Sequence, residues 1–329
     1  MKVLLTHAPQ ARRQYYGERA LAALREIAEV RLNEQEEALT PAELIGAAAD
    51  IDAIIADRLT AGPAEVFRAL ASLKAFLRVA VDIRNIDVGA ASAAGVLVTR
   101  AQPGFMTAVA ELALGLLVDL ARGISRANAD YHAGRVPEVR MGRELAGATA
   151  GIIGYGAIGR HLAPMLAGLG MCVLIADPHV RVAEGAFAQV TVDDLLARAD
   201  YVICLAVATA ETENLIDARA LARMRPQACF INLSRGNLVD EGALLRALRA
   251  ERIDGAAMDV GRATDQMPSP DLAALPNVIA TPHIGGLTPQ AVEAQALDTV
   301  RQLDAIKRGE VPAGAVNAGA WTRRPRRGF

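Results

Sequence analysis

The chain has 329 residues, which is enough for two domains that each bury a core of their own. Its formal net charge is −2, with acidic and basic residues mixed along the chain, and this excludes a nucleic-acid or membrane surface built on bulk charge. The longest uncharged stretch, from Leu145 to Gly159, holds five glycines and is too short to span a bilayer.

Short apolar runs alternate with helical patterns in the first hundred residues. KVLL at the start is strand-like, and GERALAALREIAEV, residues 17–30, has apolar residues at the spacing of a helix. A helix is predicted after Pro63, and further strand candidates are DAIIA, FLRVAV and GVLVT. This alternation predicts a parallel sheet with helices on both faces.

A second series of the same kind follows a long apolar segment. Met106 to Asn128 contains no proline and predicts one long helix, after which YHAGRVPEVRMGREL lacks periodicity and predicts a connecting loop. From Thr149 the strand candidates are TAGII, MCVLIA, YVICLA, ACFINL, DGAAM and NVIA. The last helix should begin with Thr288 as N-cap and Pro289 as its first residue. Its apolar stripe is Val292, Ala296, Val300, Leu303 and Ile306.

Cysteine usage and the two termini indicate the compartment. Cys172, Cys204 and Cys229 lie in apolar runs, which predicts buried thiols in a reducing environment. The apolar core near the N-terminus is too short for a signal peptide, so we expect a cytoplasmic protein. Four arginines occur in seven residues from Arg323. This basic tail can bind anions, but a disordered terminus is the preferred interpretation.

The stretch GIIGYGAIG, residues 151–159, contains the pattern G-x-G-x-x-G at Gly154, Gly156 and Gly159. A strand candidate precedes it, a helical pattern that includes Pro164 follows it, and the next strand candidate ends at Asp177. The glycines permit a tight turn, close approach of a pyrophosphate, and packing of helix on strand. We favour a dinucleotide site over a purely structural turn. Asp177 favours NAD over NADP, because its carboxylate accepts from a ribose 2′-hydroxyl and repels a 2′-phosphate.

With this fingerprint in place, the remaining motifs resemble the D-2-hydroxyacid dehydrogenase family. The matching segments, in chain order between Asn85 and Thr288, are NID, PG, VAE, EL-x-G-x-T, GIIGYGAIG, ADP, ET, INLSRG, LVDEGAL, GAAMDV and TPHIGG. The resemblance implies two Rossmann-like or flavodoxin-like doubly wound parallel-sheet α/β domains with a cleft between them. Residues 1–99 plus 287–329 would form the substrate domain and residues 100–286 the dinucleotide-binding domain.

The family also implies NAD, a small 2-keto or 2-hydroxy acid, and a homodimer formed through the cofactor domains. The apolar helix from Met106 would then be partly buried between subunits. No metal, nucleic acid or membrane partner is expected. The residues that match the family's cofactor site are Gly154, Tyr155, Gly156, Ala157, Ile158, Gly159, Asp177, Val207, Thr212, Ser234, Asp259 and Gly285.

Two residues match the family's catalytic positions. Arg235 of SRG would hold the substrate carboxylate with its guanidinium fork and polarise the keto oxygen. His283 of TPHIGG would give a proton to the carbonyl oxygen in reduction and take it back in oxidation. The competing interpretation of His283 is a polar turn residue at a strand end. Substrate contacts are further assigned to Val81, Asp82 and Arg58, the last of which is equally well explained as a solvated loop arginine.

The sequence departs from the family where His283 should find an acidic partner. The family has a glutamate at the position of Thr264, and Asp265 would substitute for it if the loop shifted by one residue. A threonine can orient an imidazole but supplies no charge to favour the imidazolium. We therefore expect keto-acid reduction to have a more acidic optimum than in members that carry the glutamate, and Thr264→Glu to move its alkaline limb upward.

The substrate loop departs as well, because Ala80 and Asp82 stand where members commonly have glycines, although Arg84 can offset the charge of Asp82. The favoured function is an NAD-dependent 2-hydroxyacid dehydrogenase of the glyoxylate or hydroxypyruvate type or a related one. The alternative is an NAD(H)-sensing binding protein of the same fold with weak or no turnover. Arg235 and His283 favour the enzyme, whereas the missing glutamate and the altered loop favour the sensor.

Overall fold

The computed structural model describes residues 1–183, 185 and 187–325. The chain divides into two compact units, Met1–Phe105 together with the segment from Thr288 onward, and Met106–Leu287. The sequence prediction had set these breaks after residues 99 and 286. The second unit begins with the first residue of a long helix, Met106.

The first unit is a parallel sheet covered by helices. Its strands are β1 (Lys2–Leu5), β2 (Glu29–Leu32), β3 (Ala53–Ala56), β4 (Ala75–Arg78) and β5 (Leu97–Arg100). Its helices are α1 (Pro9–Tyr15), α2 (Glu18–Ile27), α3 (Pro41–Ala47), α4 (Ala64–Ala69), α5 (Val88–Ala93) and the last helix of the chain, α13 (Pro289–Lys307). A 3-10 turn follows at Ala318–Ala320. The order β2-β1-β3-β4-β5 is the flavodoxin-like doubly wound order, which confirms the predicted fold.

Alternation along the strands separates two apolar layers in this unit. Val3 and Leu5 pack with α2 and α13 on one face of the sheet, whereas Leu4 packs with α3 and α4 on the other. Thr288 caps α13 as predicted, since its hydroxyl accepts from the backbone N–H of Ala291 and Pro289 opens the helix. Of the predicted stripe on α13, Ala296, Val300, Leu303 and Ile306 are buried, and Val292 is half-buried.

The described residues of the second unit form seven parallel strands. They are β6 (Thr149–Ile153), β7 (Cys172–Ala176), β8 (Ala188–Gln189), β9 (Tyr201–Cys204), β10 (Cys229–Asn232), β11 (Gly255–Met258) and β12 (Val278–Ala280). The helices are α6 (Met106–Arg122), α7 (Ile124–His132), α8 (Ala157–Gly168), α9 (Val192–Arg198), α10 (Ala218–Arg223), α11 (Glu241–Arg249) and α12 (Pro270–Ala273), with 3-10 turns at Gly236–Leu238 and Thr264–Gln266. The order β12-β11-β10-β9-β6-β7-β8 reverses direction between β6 and β9, as in a Rossmann sheet.

Two predictions of secondary structure were wrong in detail, and one short strand was missed. The helix expected over residues 17–30 ends at Ile27, because Glu29 begins β2, an edge strand whose half-exposed residues carry no strong apolar signal. The long helix expected from Met106 to Asn128 is broken at Gly123, which adopts a left-handed backbone with φ +67 and separates α6 from α7. The two-residue strand β8 was not predicted.

Two expectations about single residues also need correction. Cys172 is exposed at the start of β7, whereas Cys204 and Cys229 are buried as expected. The first two arginines of the basic tail are not in a disordered terminus, since Arg323 donates to the carbonyl oxygens of Leu70 and Leu73 and the Arg324 guanidinium lies over the Trp321 ring. The last two arginines of the basic tail, at positions 326 and 327, lie outside the described residues. Among the described helices, none has the length and apolar character needed to cross a bilayer.

Candidate active site

The predicted cofactor and catalytic residues of the second unit collect at one edge of its sheet. All seven strands run parallel, so their carboxyl ends share that edge. The residues that follow successive strands there are Gly154, Asp177, Leu205, Leu233 to Arg235, Asp259 and the 281–286 loop with His283. In open α/β sheets ligands bind at this edge, where the strand order reverses.

The glycine loop between β6 and α8 leaves no room for side chains at two of its three glycines. Gly154 has φ +99, and a Cβ there would lie 2.6 Å from the backbone N of Ala206. A Cβ at Gly159 would lie 2.5 Å from the carbonyl oxygen of Gly154. At Gly156, by contrast, a Cβ would meet no atom within 4 Å, although the residue is the N-cap of α8. The absence of a side chain therefore keeps space open in front of a helix N-terminus, which fits a dinucleotide pyrophosphate.

Asp177 fastens this loop to the end of β7. One carboxylate oxygen accepts from the backbone N–H of Tyr155 at 2.7 Å, and the other accepts from His179 and Val180 at 2.8 and 3.1 Å. A carboxylate has about four lone-pair sites, so a ribose hydroxyl can still donate to it. The negative charge predicted to exclude a 2′-phosphate is thus held in a fixed position beside the glycine loop.

Arg160 is a residue of this region that the sequence interpretation missed. It lies in the first turn of α8, with its guanidinium carbon 4.9 Å from the centre of the buried Tyr155 ring. A cation at this distance is attracted by the aromatic face, so the ring holds the guanidinium near the helix N-terminus. An arginine directly after the last glycine of the fingerprint was the signal available in the sequence.

One hydrogen bond joins the loops that follow β9 and β10, and a second lies within the loop after β9. The Ser234 hydroxyl donates to the carbonyl oxygen of Ala206 at 2.5 Å, and the Thr212 hydroxyl donates to that of Val207 at 2.8 Å. Val207 is exposed to 77% of its surface. Burial raises the pKa of the neighbouring Cys204 thiol to about 12, so this cysteine supplies no thiolate at neutral pH. These loops can therefore contact a ligand but contain no thiolate nucleophile.

Arg235 is positioned by a close approach of two backbones. Its guanidinium donates to the carbonyl oxygen of Ser234 at 2.7 Å, and its own carbonyl accepts from the buried Asn232 amide at 3.0 Å. The next residue must be glycine, because a Cβ at Gly236 would overlap the backbone of Gly261. The half-buried arginine follows β10 at the carboxyl edge of the sheet, as the sequence predicted.

Asp259 has a role that the sequence did not show. Its side chain is buried and accepts three hydrogen bonds, from the Thr281 hydroxyl at 2.6 Å and from the backbone N–H groups of Ile284 and Gly285 at 2.8 Å each. Its carbonyl also accepts from the backbone N–H of His283 at 3.0 Å. Asp259 therefore holds the whole TPHIGG loop from the end of β11.

His283 lies on this loop with a left-handed backbone, φ +55. Its ring atom Nδ1 is 3.1 Å from the main-chain oxygen of Asp265. Thr264, at the family's glutamate position, is exposed and begins the 3-10 turn that presents this oxygen. The main chain of Asp265, and not the Thr264 side chain, is thus the group that meets the ring.

The three residues that the sequence predicted to contact substrate lie in the first unit, in the loops that follow β3 and β4. Arg58 is exposed, and Val81 and Asp82 are half-buried. The charge of Asp82 is offset as anticipated, since the Arg84 guanidinium lies 2.6 Å from its carboxylate.

Beneath these loops lies a buried polar cluster that the sequence interpretation missed. Arg78 is fully buried and donates to the Thr60 carbonyl oxygen at 2.9 Å and to the Asn85 side chain at 2.6 Å. Burial lowers its pKa to about 10, which still leaves it charged at neutral pH. His7 is also buried, and burial lowers its pKa to about 4. Polar residues directly after β1 and within β4 were the available signal.

Within the described part of the chain, no three histidine, cysteine, aspartate or glutamate side chains cluster to hold a metal ion.

Comparison with known proteins agrees with this arrangement. Residues 114–285 match the sequence profile of the D-isomer specific 2-hydroxyacid dehydrogenase, NAD binding domain. A D-lactate dehydrogenase from Lactobacillus jensenii, solved with NAD+, superposes with a TM-score of 0.83 at 27% identity, covering 96% of this chain and 99% of that one. The second unit is accordingly an NAD-binding domain of this type.

Two named relatives differ in how much of their length is matched. D-3-phosphoglycerate dehydrogenase of Mycobacterium leprae is 37% identical over 279 residues, which cover 84% of this chain but 53% of the relative, so the chain spans about half the length of that protein. Glyoxylate reductase of Thermococcus onnurineus is 34% identical over 312 residues, covering 91% of this chain and 93% of the relative. The chain belongs to the D-isomer specific 2-hydroxyacid dehydrogenase family.

Proposed function

We propose that the chain is an NAD-dependent oxidoreductase that interconverts a small 2-keto acid and its 2-hydroxy acid, of the glyoxylate or hydroxypyruvate type or a related one. The observation that carries the proposal is the shared sheet edge of the second unit. The open glycine turn, Asp177, Arg235 and His283 all follow strand ends at that edge. The name of the glyoxylate reductase relative, which is matched along nearly its whole length, supports the same substrate class.

Each group of residues would have the role that its chemistry allows. Gly156, the N-terminus of α8 and Asp177 would hold the dinucleotide through its pyrophosphate and ribose. When bound, the nicotinamide ring supplies the hydride in reduction and accepts it in oxidation. Arg235 would bind the substrate carboxylate with two parallel N–H groups, which fixes the orientation of the neighbouring carbonyl. His283 would donate the proton that the new alkoxide oxygen needs, and Asp259 keeps its loop in place.

We also propose that the protein acts as a homodimer. The segment after α7 has no helix or strand from residue 133 to 148, yet it exposes Val136, Val139 and Met141 to between 88% and 99% of their surface. Tyr131 at the end of α7 is exposed to 67%. Four strongly exposed apolar side chains within eleven residues are typical of a surface that a partner covers. We call residues 131–141 the apolar arm.

The test of the function is a screen of NADH oxidation against glyoxylate, hydroxypyruvate, pyruvate and branched or aromatic 2-keto acids, with 3-phosphoglycerate and NAD+ in the opposite direction. We expect at least one 2-keto acid to be reduced, and Arg235→Ala to lower kcat/KM by roughly 10³-fold or more, because both anchoring and carbonyl polarisation are lost. Arg235→Lys should recover only part of this, since a lysine cannot make the paired contact.

Measurements of NADH binding distinguish the proposed enzyme from an NAD(H)-sensing binding protein of the same fold. Arg235→Ala should leave the Kd for NADH within about threefold of wild type, and Arg249→Ala, an exposed arginine at the end of α11, controls for loss of charge. If NADH binds and none of the acids is turned over, the result favours the alternative, an NAD(H)-sensing binding protein. If Arg235→Ala weakens NADH binding as much as turnover, the arginine has been assigned to the wrong site.

A further inference from the structure

Strained backbone is concentrated around His283. Among the described residues, five that are not glycine have a left-handed φ between +50 and +59, namely Asn214, Glu251, Asp265, Gln266 and His283. Two of them meet directly, since His283 Nδ1 lies 3.1 Å from the Asp265 carbonyl oxygen, and Gln266 is the next residue of the same turn. A side chain disfavours this conformation, so it persists only where the surrounding structure holds it, and such residues cluster at functional sites.

Both sides of this contact are fixed to the end of β11. On one side, the backbone N–H of Gly261 donates to the Gln266 carbonyl at 2.8 Å, which folds the 264–266 turn back on itself. On the other side, Asp259 accepts from the backbone of His283 and from the two residues after it. The ring and the carbonyl thus face each other from two short segments, one after β11 and one after β12, which are both hydrogen-bonded to residues just after β11.

The chemistry of the contact decides where the ring carries its proton. A carbonyl oxygen only accepts, so the Nδ1 atom that meets it must donate. In the neutral imidazole the second nitrogen, Nε2, then has the lone pair, and it is Nε2 that gains or loses the catalytic proton. A carboxylate partner would fix the same tautomer but would add a negative charge, whereas a main-chain carbonyl orients the ring without a charge of its own.

We propose that the main-chain carbonyl of Asp265 is the positioning group of His283, holding the neutral ring with its proton on Nδ1 so that Nε2 exchanges the proton with the substrate oxygen. The exchange with substrate rests on the proposed function, but the tautomer does not. The left-handed turn at residues 265 and 266 would thus present this carbonyl to the ring, in a loop where the side chain of Thr264 supplies no acid.

The test measures the tautomer directly, in the full chain without substrate. Histidine ring nitrogens are labelled with ¹⁵N, and two-bond ¹H–¹⁵N correlations at a pH where the ring is neutral report which nitrogen is protonated. His283→Gln identifies the His283 signals among those of the five histidines. We expect a roughly tenfold or larger excess of the Nδ1–H form, as one net hydrogen bond provides.

Two substitutions separate the main chain of Asp265 from its side chain. Asp265→Asn removes the carboxylate charge but tolerates the left-handed backbone, so the Nδ1–H form should persist. A valine disfavours φ +59, so Asp265→Val should reduce the excess of the Nδ1–H form to less than about threefold. The kcat for 2-keto acid reduction should then fall roughly 10- to 100-fold, while the Kd for NADH stays unchanged. Glu251→Val, at an exposed residue with φ +50 in the same unit, is the matched control and should leave the His283 signals unchanged.

The proposal is overturned if wild-type His283 is protonated mainly on Nε2, or if Asp265→Asn alone removes the bias, since the carboxylate would then be the partner. Should Asp265→Val fail to fold, the wild type and Asp265→Asn still decide the question. Absence of keto-acid turnover with an intact Nδ1–H form would instead contradict the proposed function and leave the positioning of the ring established.

Discussion

The Asp259 carboxylate accepts a 2.8 Å hydrogen bond from the backbone N–H of Gly285, and both residues are buried. A Cβ at Gly285 would lie 2.9 Å from the same carboxylate oxygen, so the two residues can approach this closely only because position 285 has no side chain. The bond joins the end of β11 to the loop after β12, and it fixes the segment that contains His283.

Replacing this carboxylate by an amide should disrupt the loop. In Asp259→Asn, one of the two acceptor oxygens becomes an NH₂ group that faces a backbone N–H, so at least one buried donor loses its partner. Charge-assisted bonds of this kind contribute about 1.5–3 kcal/mol each, and we expect the free energy of unfolding to fall by about 2–3 kcal/mol. Urea unfolding measures the stability, and kcat should fall at least tenfold. Asp271→Asn, at an exposed aspartate of α12, should change neither quantity.

Two glycines of the loop between β6 and α8 should respond differently to substitution by alanine. Gly156 has φ −76, and a methyl group there would meet no other atom, so Gly156→Ala should leave the melting temperature unchanged. The methyl group would occupy the space proposed for the pyrophosphate, so the Kd for NADH should rise tenfold or more. Gly154 has φ +99, which a side chain disfavours, and a Cβ there would lie 2.6 Å from the backbone N of Ala206. Gly154→Ala should therefore lower the melting temperature. Thermal unfolding and calorimetric titration with NADH distinguish the two. Unchanged NADH affinity in Gly156→Ala would place the pyrophosphate elsewhere.

Asp177 should determine the choice between the two cofactors. We expect wild type to bind NADH more tightly than NADPH, because the carboxylate beside the glycine loop repels a 2′-phosphate. Asp177→Ala also removes three hydrogen bonds to the backbone, so it should weaken NADH binding roughly tenfold. The decisive quantity is therefore the ratio of the two dissociation constants, which should move toward one. Tighter binding of NADPH by wild type would contradict the assignment.

The apolar arm should be covered by a second copy of the chain. Light scattering at micromolar concentration should give the mass of a dimer. Combining Val139→Asp with Met141→Asp should shift the protein toward monomer, because two charges would then be buried without partners. Val311→Asp, at an exposed valine of the first unit, serves as the matched control and should leave the dimer intact. A wild-type monomer would rule out the proposed assembly.

His7 should make the stability of the protein depend on pH below neutrality. Burial chiefly lowers the pKa of His7 to about 4, whereas in the unfolded chain it titrates near the ordinary value of about 6.5. Between these values the unfolded state binds more protons. The contribution of His7 is therefore complete above pH 6.5 and is lost as the pH falls to 4, by about 3 kcal/mol in total. Urea unfolding between pH 7.5 and 4 should show that the free energy of unfolding falls with pH. His7→Gln should remove this dependence on pH, whereas His161→Gln, at an exposed residue, should retain it.

Local patterns in the sequence were sufficient to predict ten strands of the two sheets, all except β2 and β8. Runs such as TAGII and ACFINL are apolar throughout because strands of a parallel sheet are buried on both faces, and β6 and β10 are indeed buried along almost their whole length. The cap at Thr288 was equally local, since it depends on residues one to three positions away. The edge strand β2 was not predicted because half of its residues face outward and give no continuous apolar run. The break between α6 and α7 at Gly123 was also missed, although the glycine itself was the signal for it.

Tertiary structure decided how the candidate catalytic histidine is held. The sequence determined that a histidine follows the last strand and that no glutamate stands at position 264, but it could not identify what meets the ring. That partner is a backbone carbonyl 18 positions away, on a left-handed turn, and the clamp at Asp259 spans 26 positions. Such contacts depend on the pairing of β11 with β12 and on bonds that every residue type can make, so no residue pattern encodes them. Side-chain spacing therefore predicts which groups reach the sheet edge, and only the folded chain determines which backbone atoms they meet there.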